Sequence, residues 1–181
     1  MNELYNDVSE IMITKEQLDE ICTELGRKIS EDYKGKQLML VGVMKGGLIF
    51  LSDLLRKITI PVEFGTITAS SYGKGTSSSG QVTILQDLDM DIAGKDVIIV
   101  EDLIDSGHTL RYLQEFLGLR NPNSVKICCM LDKPSRREKQ VKVDYIGQEI
   151  PDKFVVGYGM DFEEKYRNLA DVCVLKKEFY E

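Results

Sequence analysis

The chain has 181 residues, 43% hydrophobic and 29% charged, with 23 Lys and Arg against 30 Asp and Glu and a formal net charge of −7. That length suits one domain with a sizeable core, and the mix of apolar and charged residues excludes a disordered chain. The acidic excess excludes a general nucleic-acid binder, whose affinity rests on clustered positive charge, but leaves room for a local basic pocket.

His108 is the single histidine, which rules out a multi-histidine metal site. The four cysteines, Cys22, Cys128, Cys129 and Cys173, form no C-x-x-C pair and read as buried thiols of a reduced compartment. Met1–Asp7 is acidic and lacks a basic, then apolar, leader pattern, and no apolar run approaches the roughly 18 residues of a membrane span. A cytoplasmic protein without membrane partners is expected.

Thr14 followed by Gln17 predicts a capping box, after which Leu18, Ile21, Cys22, Leu25 and Ile29 recur at helical spacing until Gly35 closes the segment. Gln37–Val43 reads as a short apolar strand leading into Met44-Lys45-Gly46-Gly47. Leu48–Leu55 is apolar nearly all round, as a buried helix is, and Val62–Thr68 is the next strand. Ala69–Gly80, rich in Ser and Gly, predicts a mobile loop between two strands. Gln81–Leu85 returns as a strand, and Asp87, Asp89 and Asp91 read as a solvated turn.

Val97–Val100 predicts a buried central strand, Thr109–Leu119 a helix with Leu110, Leu113, Phe116 and Leu117 inward, and Ser124–Leu131 another buried strand. A charged loop, Asp132–Lys139, follows; Val143–Ile146, Phe154–Val156 and Val172–Leu175 are short strands. Alternating strands and helices, with strands that are apolar runs, predict an α/β fold with a largely parallel sheet covered on both faces. Ligands in such sheets bind at the carboxyl ends of the strands. Glu101–Asp105, Lys45–Gly47 and Lys133 all fall there.

The segment from Val97 to Leu110 carries the chemistry: an apolar run, the pair Glu101-Asp102, two apolar residues, Asp105, then Ser106-Gly107-His108-Thr109. A helix N-terminus binds phosphate through unpaired N–H groups and its positive dipole end, so three carboxylates stand beside an anion cradle. A sugar phosphate, with or without Mg²⁺, fits that pairing. Carboxylates at a strand end can also be merely solvated, but a helix cap needs one acid and not three.

Val97–Leu110 resembles the phosphoribosyl-diphosphate-binding signature of the phosphoribosyltransferases. Lys153-Phe154-Val155-Val156-Gly157-Tyr158-Gly159-Met160-Asp161, with Tyr166-Arg167 and Leu169, is similar to the C-terminal signature of the hypoxanthine-guanine branch. Leu131-Asp132-Lys133, Met44-Lys45-Gly46-Gly47 and Ser70-Ser71-Tyr72 resemble further segments of it, so the likeness runs from about Val41 to Cys173. It implies the type I phosphoribosyltransferase fold, a twisted, largely parallel sheet flanked by helices with a small hood. One domain is expected over residues 1–181, with a core of about 36–150 and the hood drawn from the two terminal segments. The activity implied is Mg²⁺-dependent purine salvage, making IMP or GMP from phosphoribosyl diphosphate and hypoxanthine or guanine.

By the same resemblance, Glu101 and Asp102 hold the ribose hydroxyls and their Mg²⁺, and Ser106, Gly107, His108 and Thr109 cradle the 5′-phosphate. Ile104 counts among the substrate contacts. Asp105 is the implied general base, accepting the purine N7 proton; it is also placed to cap the following helix. Lys45 and Gly46 resemble the diphosphate loop, whose Lys-Gly peptide is often cis in the family, although Lys-Gly-Gly is equally a tight turn. Lys133 is implied at the 6-oxo oxygen, where it rejects adenine, while its neighbours Arg136, Arg137 and Lys139 read as solvated.

Phe154 would stack on the purine and Val155 contact its edge, although a lone Phe in a strand is normally core. Asp161 is implied near the purine 2-position and a second Mg²⁺, and Arg167 at the diphosphate. Ser71 and Tyr72 resemble a lid that excludes water. Members of the family usually form dimers or tetramers, so a homodimer or homotetramer is expected, with small molecules as the other partners. Two alternatives are weaker. A nucleic-acid-binding regulator on the same fold conflicts with the acidic charge, and a receiver domain lacks the Asp-Ser-Gly-x-Thr turn.

Overall fold

The computed structural model describes residues 3–71 and 82–180, with only the backbone of Ser71. Helix α1 (Lys15–Asp32) starts at the expected capping box: the Gln17 amide donates to Thr14 Oγ1 at 3.4 Å and the Thr14 amide to Gln17 Oε1 at 2.9 Å. Its apolar stripe buries Leu18, Cys22, Leu25 and Ile29, and Gly35 adopts φ +77° just beyond its end.

Strands β2 (Leu38–Met44), β3 (Val62–Ser71), β4 (Val82–Gln86), β5 (Asp96–Ile104), β6 (Ser124–Asp132) and β7 (Tyr145–Glu149) form a six-stranded sheet in the order β4-β3-β2-β5-β6-β7. All neighbours are parallel except β3 and β4. Helix α2 (Leu48–Lys57) joins β2 to β3, and α3 (His108–Gly118) joins β5 to β6. Helices α1 and α2 pack on one face over Phe50, Leu51, Leu54, Ile98 and Val100, while α3 covers the other over Val97, Ile99, Leu110 and Leu113. The doubly wound, largely parallel sheet expected from the apolar runs is present.

The crossover through α2 steps to one side of β2, whereas β5 and its crossover through α3 step to the other. The strand order therefore reverses between β2 and β5, and a crevice opens at their carboxyl ends, where such folds bind ligands. A second, antiparallel sheet, the hood, has the order β1-β9-β8 and joins β1 (Val8–Ile13) to β9 (Val172–Leu175) and β8 (Val155–Val156).

Strands β1 and β5 depart most from the sequence expectation, while β7 is shifted from Val143–Ile146 to Tyr145–Glu149 and β3 runs past Thr68 to Ser71. Strand β5 extends four residues beyond Val100 because its parallel ladder with β6 continues through Glu101↔Cys129, Leu103↔Leu131 and Ile104↔Asp132. Glu101 and Asp102 thus sit on the strand itself, with Asp105 just past its end. Strand β1 carries no clear alternating signal, since Ser9, Glu10 and Ile11 are all exposed, and it exists because β9 pairs with it. Gln81 and most of the Ala69–Gly80 loop lie outside the described residues.

Helices α1 and α2 meet at Gly26, where an added Cβ would lie 2.6 Å from the Lys57 Cβ and 2.8 Å from the Lys57 carbonyl carbon. Ala is the better helix former by about 1 kcal/mol. Forcing two helices apart by one methyl costs about 1–3 kcal/mol and here outweighs that gain. Gly26→Ala is therefore expected to lower the urea midpoint of unfolding; an unchanged or raised midpoint would show that the helices part freely.

Candidate active site

Three backbone segments converge on the crevice between β2 and β5. The loop after β2 brings Lys45 and Gly46, and an added Cβ on Gly46 would lie 2.1 Å from Asp102 Oδ2. The hood contributes Gly159, at φ +100°, whose added Cβ would lie 2.1 Å from the Gly46 carbonyl oxygen. Only glycine admits so close an approach. The loop also contains a cis peptide, which lies between Met44 and Lys45 and so one residue before the Lys45–Gly46 bond singled out above.

At the end of β5 the chain turns through Gly107, at φ +86°, into α3, and no side chain caps that helix. A Cβ on Gly107 would meet the Lys139 carbonyl oxygen at 2.8 Å. Uncapped N-terminal N–H groups are suited to an anion. Ser106, Gly107 and Thr109 line a cleft of about 940 Å³ with Glu101, Ile104 and Arg167. The His108 ring turns to Glu138, with Nε2 2.9 Å from Oε2, leaving its backbone at the turn.

A second cleft, of about 1150 Å³, is lined by Lys133, Phe154, Val155 and Met160. Asp102, Leu103, Asp105, Arg136 and Asp161 line both clefts, so the two share one wall. Ile104 itself is buried within the α3-side core.

The charges are unevenly hydrated. Glu101 is 9% exposed, and burial, reinforced by the neighbouring Asp102 carboxylate, pushes its pKa well above the usual carboxylate range. Lys133 is 6% exposed; burial lowers its pKa, while Asp105 and Asp152 act in the opposite direction. Its amide donates to the Ile104 carbonyl at 3.0 Å, tying the loop after β6 to the end of β5. Arg136 Nε donates to Asp105 Oδ1 at 3.2 Å, and Arg137 donates to the Asp105 carbonyl at 2.9 Å and to Asp132. Lys45 Nζ pairs with Glu164 at 2.9 Å, while Arg167 pairs with Asp161 at 2.9 Å and with Glu164 at 3.4 Å. Glu164 thus bridges two cations, whose proximity lowers its pKa.

A model of the phosphoribosyl transferase domain matches residues 12–163. The hypoxanthine phosphoribosyltransferase of Salmonella typhimurium is 52% identical over 165 residues, 90% of this chain and 93% of its own. The hypoxanthine-guanine phosphoribosyltransferase of Staphylococcus aureus is 44% identical over 177 residues, 98% of this chain and 99% of its own. The chain belongs to the hypoxanthine-guanine phosphoribosyltransferases. It is therefore an enzyme, a transferase of purine salvage. A solved structure of hypoxanthine phosphoribosyltransferase from Trypanosoma cruzi in complex with the product IMP has a TM-score of 0.90 at 38% identity, covering 97% of this chain and 98% of that one.

Among the described candidate site residues, all but His108 and Ser71 line one of the two clefts or both. Tyr72 lies outside the described residues, and Ser71 is described only as the end of β3. Arg136 and Lys139 are exposed as expected, although Arg136 also reaches the Asp105 carboxylate; Arg137 corrects the expectation of a solvated loop, being half-buried and donating to the Asp105 carbonyl. The sequence carries no sign of this, because the loop after β6 reaches β5 only through the sheet. Glu164 was equally hidden, one charge among many in a polar segment.

Among the described residues no three His, Cys, Asp or Glu side chains gather to hold an ion, so Glu101, Asp102 and Asp161 are not one cluster. The pair Glu101-Asp102 nevertheless suits a hard cation that takes one or two carboxylates and completes its shell with substrate oxygens. A buried carboxylate whose charge is disfavoured is the group a cation would relieve.

The raised pKa of Glu101 has a definite sign for stability. A carboxyl that keeps its proton longer in the folded state than in the unfolded one stabilises below the unfolded pKa, and that contribution is lost as pH rises toward the folded pKa. In metal-free protein, Glu101→Gln is therefore expected to raise the unfolding midpoint at pH 8 relative to wild type, and to differ little at pH 4. Equal pH dependence of the two proteins would show that Glu101 is hydrated.

Proposed function

We propose that the enzyme transfers the 5-phosphoribosyl group from phosphoribosyl diphosphate to hypoxanthine or guanine, in the presence of Mg²⁺, giving IMP or GMP and diphosphate. The single observation that carries this reading is the shared wall of the two clefts: Asp102 and Asp105 stand where a base in one cleft would meet a sugar phosphate in the other. The IMP complex of the Trypanosoma cruzi relative is consistent with it.

In this reading the uncapped turn Ser106–Thr109 takes the 5′-phosphate, and Gly107 keeps that turn open to close approach. Glu101 and Asp102 accept hydrogen bonds from the two ribose hydroxyls. The same two carboxylates would hold a Mg²⁺, which would supply positive charge to offset what builds on the diphosphate. Lys45, the backbone of Gly46 and Arg167 bind the diphosphate, for which the Glu164 carboxylate makes way. Asp161 keeps Arg167 in place and faces the purine 2-position.

The base lies against Phe154, with its edge along the Val155 backbone. Lys133 donates to the 6-oxo oxygen, and because a buried ammonium has no acceptor to offer a 6-amino group, adenine is rejected. N9 forms the bond to the sugar C1′, the C1′–O bond breaks with its electron pair leaving on diphosphate, and the N7 proton passes to Asp105. The Arg136 guanidinium holds that carboxylate in place until the base arrives. Ser71 and Tyr72 belong to the segment that excludes water from the cationic sugar. The protein works in the cytoplasm as a homodimer or homotetramer, without nucleic-acid or membrane partners.

Purified protein with Mg²⁺ and phosphoribosyl diphosphate is expected to convert hypoxanthine to IMP and to leave adenine untouched; adenine turnover would remove the role of Lys133. Asp105→Asn is expected to lower kcat by about 10²–10⁴-fold, the usual worth of a positioned general base. A variant as fast as wild type would remove that assignment.

A further inference from the structure

The turn that leads from β5 into α3 is held from behind. Strand β5 lies between β2 and β6, and the loop after β6, residues 133–139, binds the turn from the β6 side. Three consecutive carbonyls of the turn are taken by this loop. The Lys133 amide donates to the Ile104 carbonyl at 3.0 Å and the Arg137 guanidinium to the Asp105 carbonyl at 2.9 Å. The Glu138 and Lys139 amides both donate to the Ser106 carbonyl, at 3.0 and 2.9 Å. The two segments are also in close contact, since a Cβ on Gly107 would meet Arg137 Cδ at 3.2 Å.

A trans peptide is planar, so a carbonyl and the amide that follows it point in opposite directions. The one cis peptide among the described residues lies between Met44 and Lys45, outside this turn. With the Ile104, Asp105 and Ser106 carbonyls drawn to the loop, the amides of Asp105, Ser106 and Gly107 are turned away from it. Ser106, Gly107 and Thr109 line the cleft that also contains Lys45 and Gly46 of the loop after β2. The direction of the cradle amides is thus fixed by what holds the carbonyls behind them.

Of the three links, only the middle one is a side chain. The Arg137 guanidinium also donates to the Asp132 carboxylate at the end of β6, so it ties that strand end to the turn. Its side chain is 18% exposed, against 46% for Arg136, and it lines neither cleft. A rigid fork of N–H donors serves a carbonyl and a carboxylate at once, which a lysine ammonium on a flexible stem does not.

We propose that Arg137 is a positioning residue for the 5′-phosphate: by holding the Asp105 carbonyl against the loop after β6, it aims the amides of the turn at the phosphate. This rests on the reading of Ser106–Thr109 as the phosphate turn given above. Arg137 touches no substrate and acts only through the turn.

Removing the guanidinium outright would strand the buried Asp132 carboxylate and unsettle the fold. The test is therefore Arg137→Lys, which keeps the charge beside Asp132 and loses the fork. Ribose 5-phosphate and inorganic diphosphate are compared as competitive inhibitors against phosphoribosyl diphosphate, with KM for hypoxanthine alongside. Inhibition by ribose 5-phosphate is expected to weaken about 3- to 10-fold, the worth of one hydrogen bond. Inhibition by diphosphate and KM for hypoxanthine stay as in wild type. In wild type, the Glu138 and Lys139 amides are expected to exchange hydrogen slowly before any ligand is added, and those of Ser106 and Gly107 to slow when ribose 5-phosphate is bound.

Equal inhibition of the two proteins by ribose 5-phosphate overturns the proposal. Weakening of all three quantities by one factor does so too, because it marks a general loosening. Should Arg137→Lys not fold, hydrogen exchange in wild type decides: free exchange at Glu138 and Lys139 shows that the loop does not hold the turn. A wild type that ribose 5-phosphate fails to inhibit sinks the reading of the phosphate turn; one that it inhibits, beside an indifferent Arg137→Lys, sinks this inference alone.

Discussion

The site depends on one crowded crossing. At the point where the strand order reverses, the Asp102 carboxylate lies over the Gly46 backbone, and the Gly46 carbonyl in turn lies against Gly159 of the hood. No side chain fits between any two of these. The loop after β2, the acidic end of β5 and the hood segment are thereby held in register by close backbone approach, with the Lys45–Glu164 ion pair alongside. A methyl group at either glycine would have to displace backbone, and with it the wall the two clefts share.

Around that crossing the acids and cations are paired in a way that leaves specific groups available. Arg136 and Arg137 fasten the Asp105 residue from its two ends, and Glu164 lies between Lys45 and Arg167. These pairs are largely exposed, so each is worth little to stability. Their value is positional, since an incoming anion can replace an exposed carboxylate at small cost. Glu101 differs, being buried beside Asp102 with its charge disfavoured. A site of this kind is tense until something cationic enters it, which agrees with the Mg²⁺ dependence proposed.

Much was legible in the chain itself. The continuous apolar runs at Leu38–Val43, Val97–Val100 and Ile127–Leu131 can be satisfied only by strands covered on both faces, and such strands imply the doubly wound sheet. Thr14 with Gln17 announced α1, and the Glu101–Thr109 order placed acids beside an anion-binding turn. Strand β1 was not legible. Its residues are mostly exposed, and its partner β9 lies at the other end of the chain. The contacts of Arg136 and Glu164 were hidden for the same reason, since each reaches residues distant in sequence or beyond a turn with no periodic signal.

The sequence by itself determined the class of fold, the family and many of the residues that line the crevice, because period, turn chemistry and ordered motifs are local properties. Only the tertiary structure decided how those residues bear on one another: which carboxylate is dry, which arginine holds Asp105, which aromatic ring stacks on Phe154. Hydration, ion pairing and stacking depend on distances between segments far apart in the chain. Those distances exist only once the sheet has closed and the hood has folded onto it.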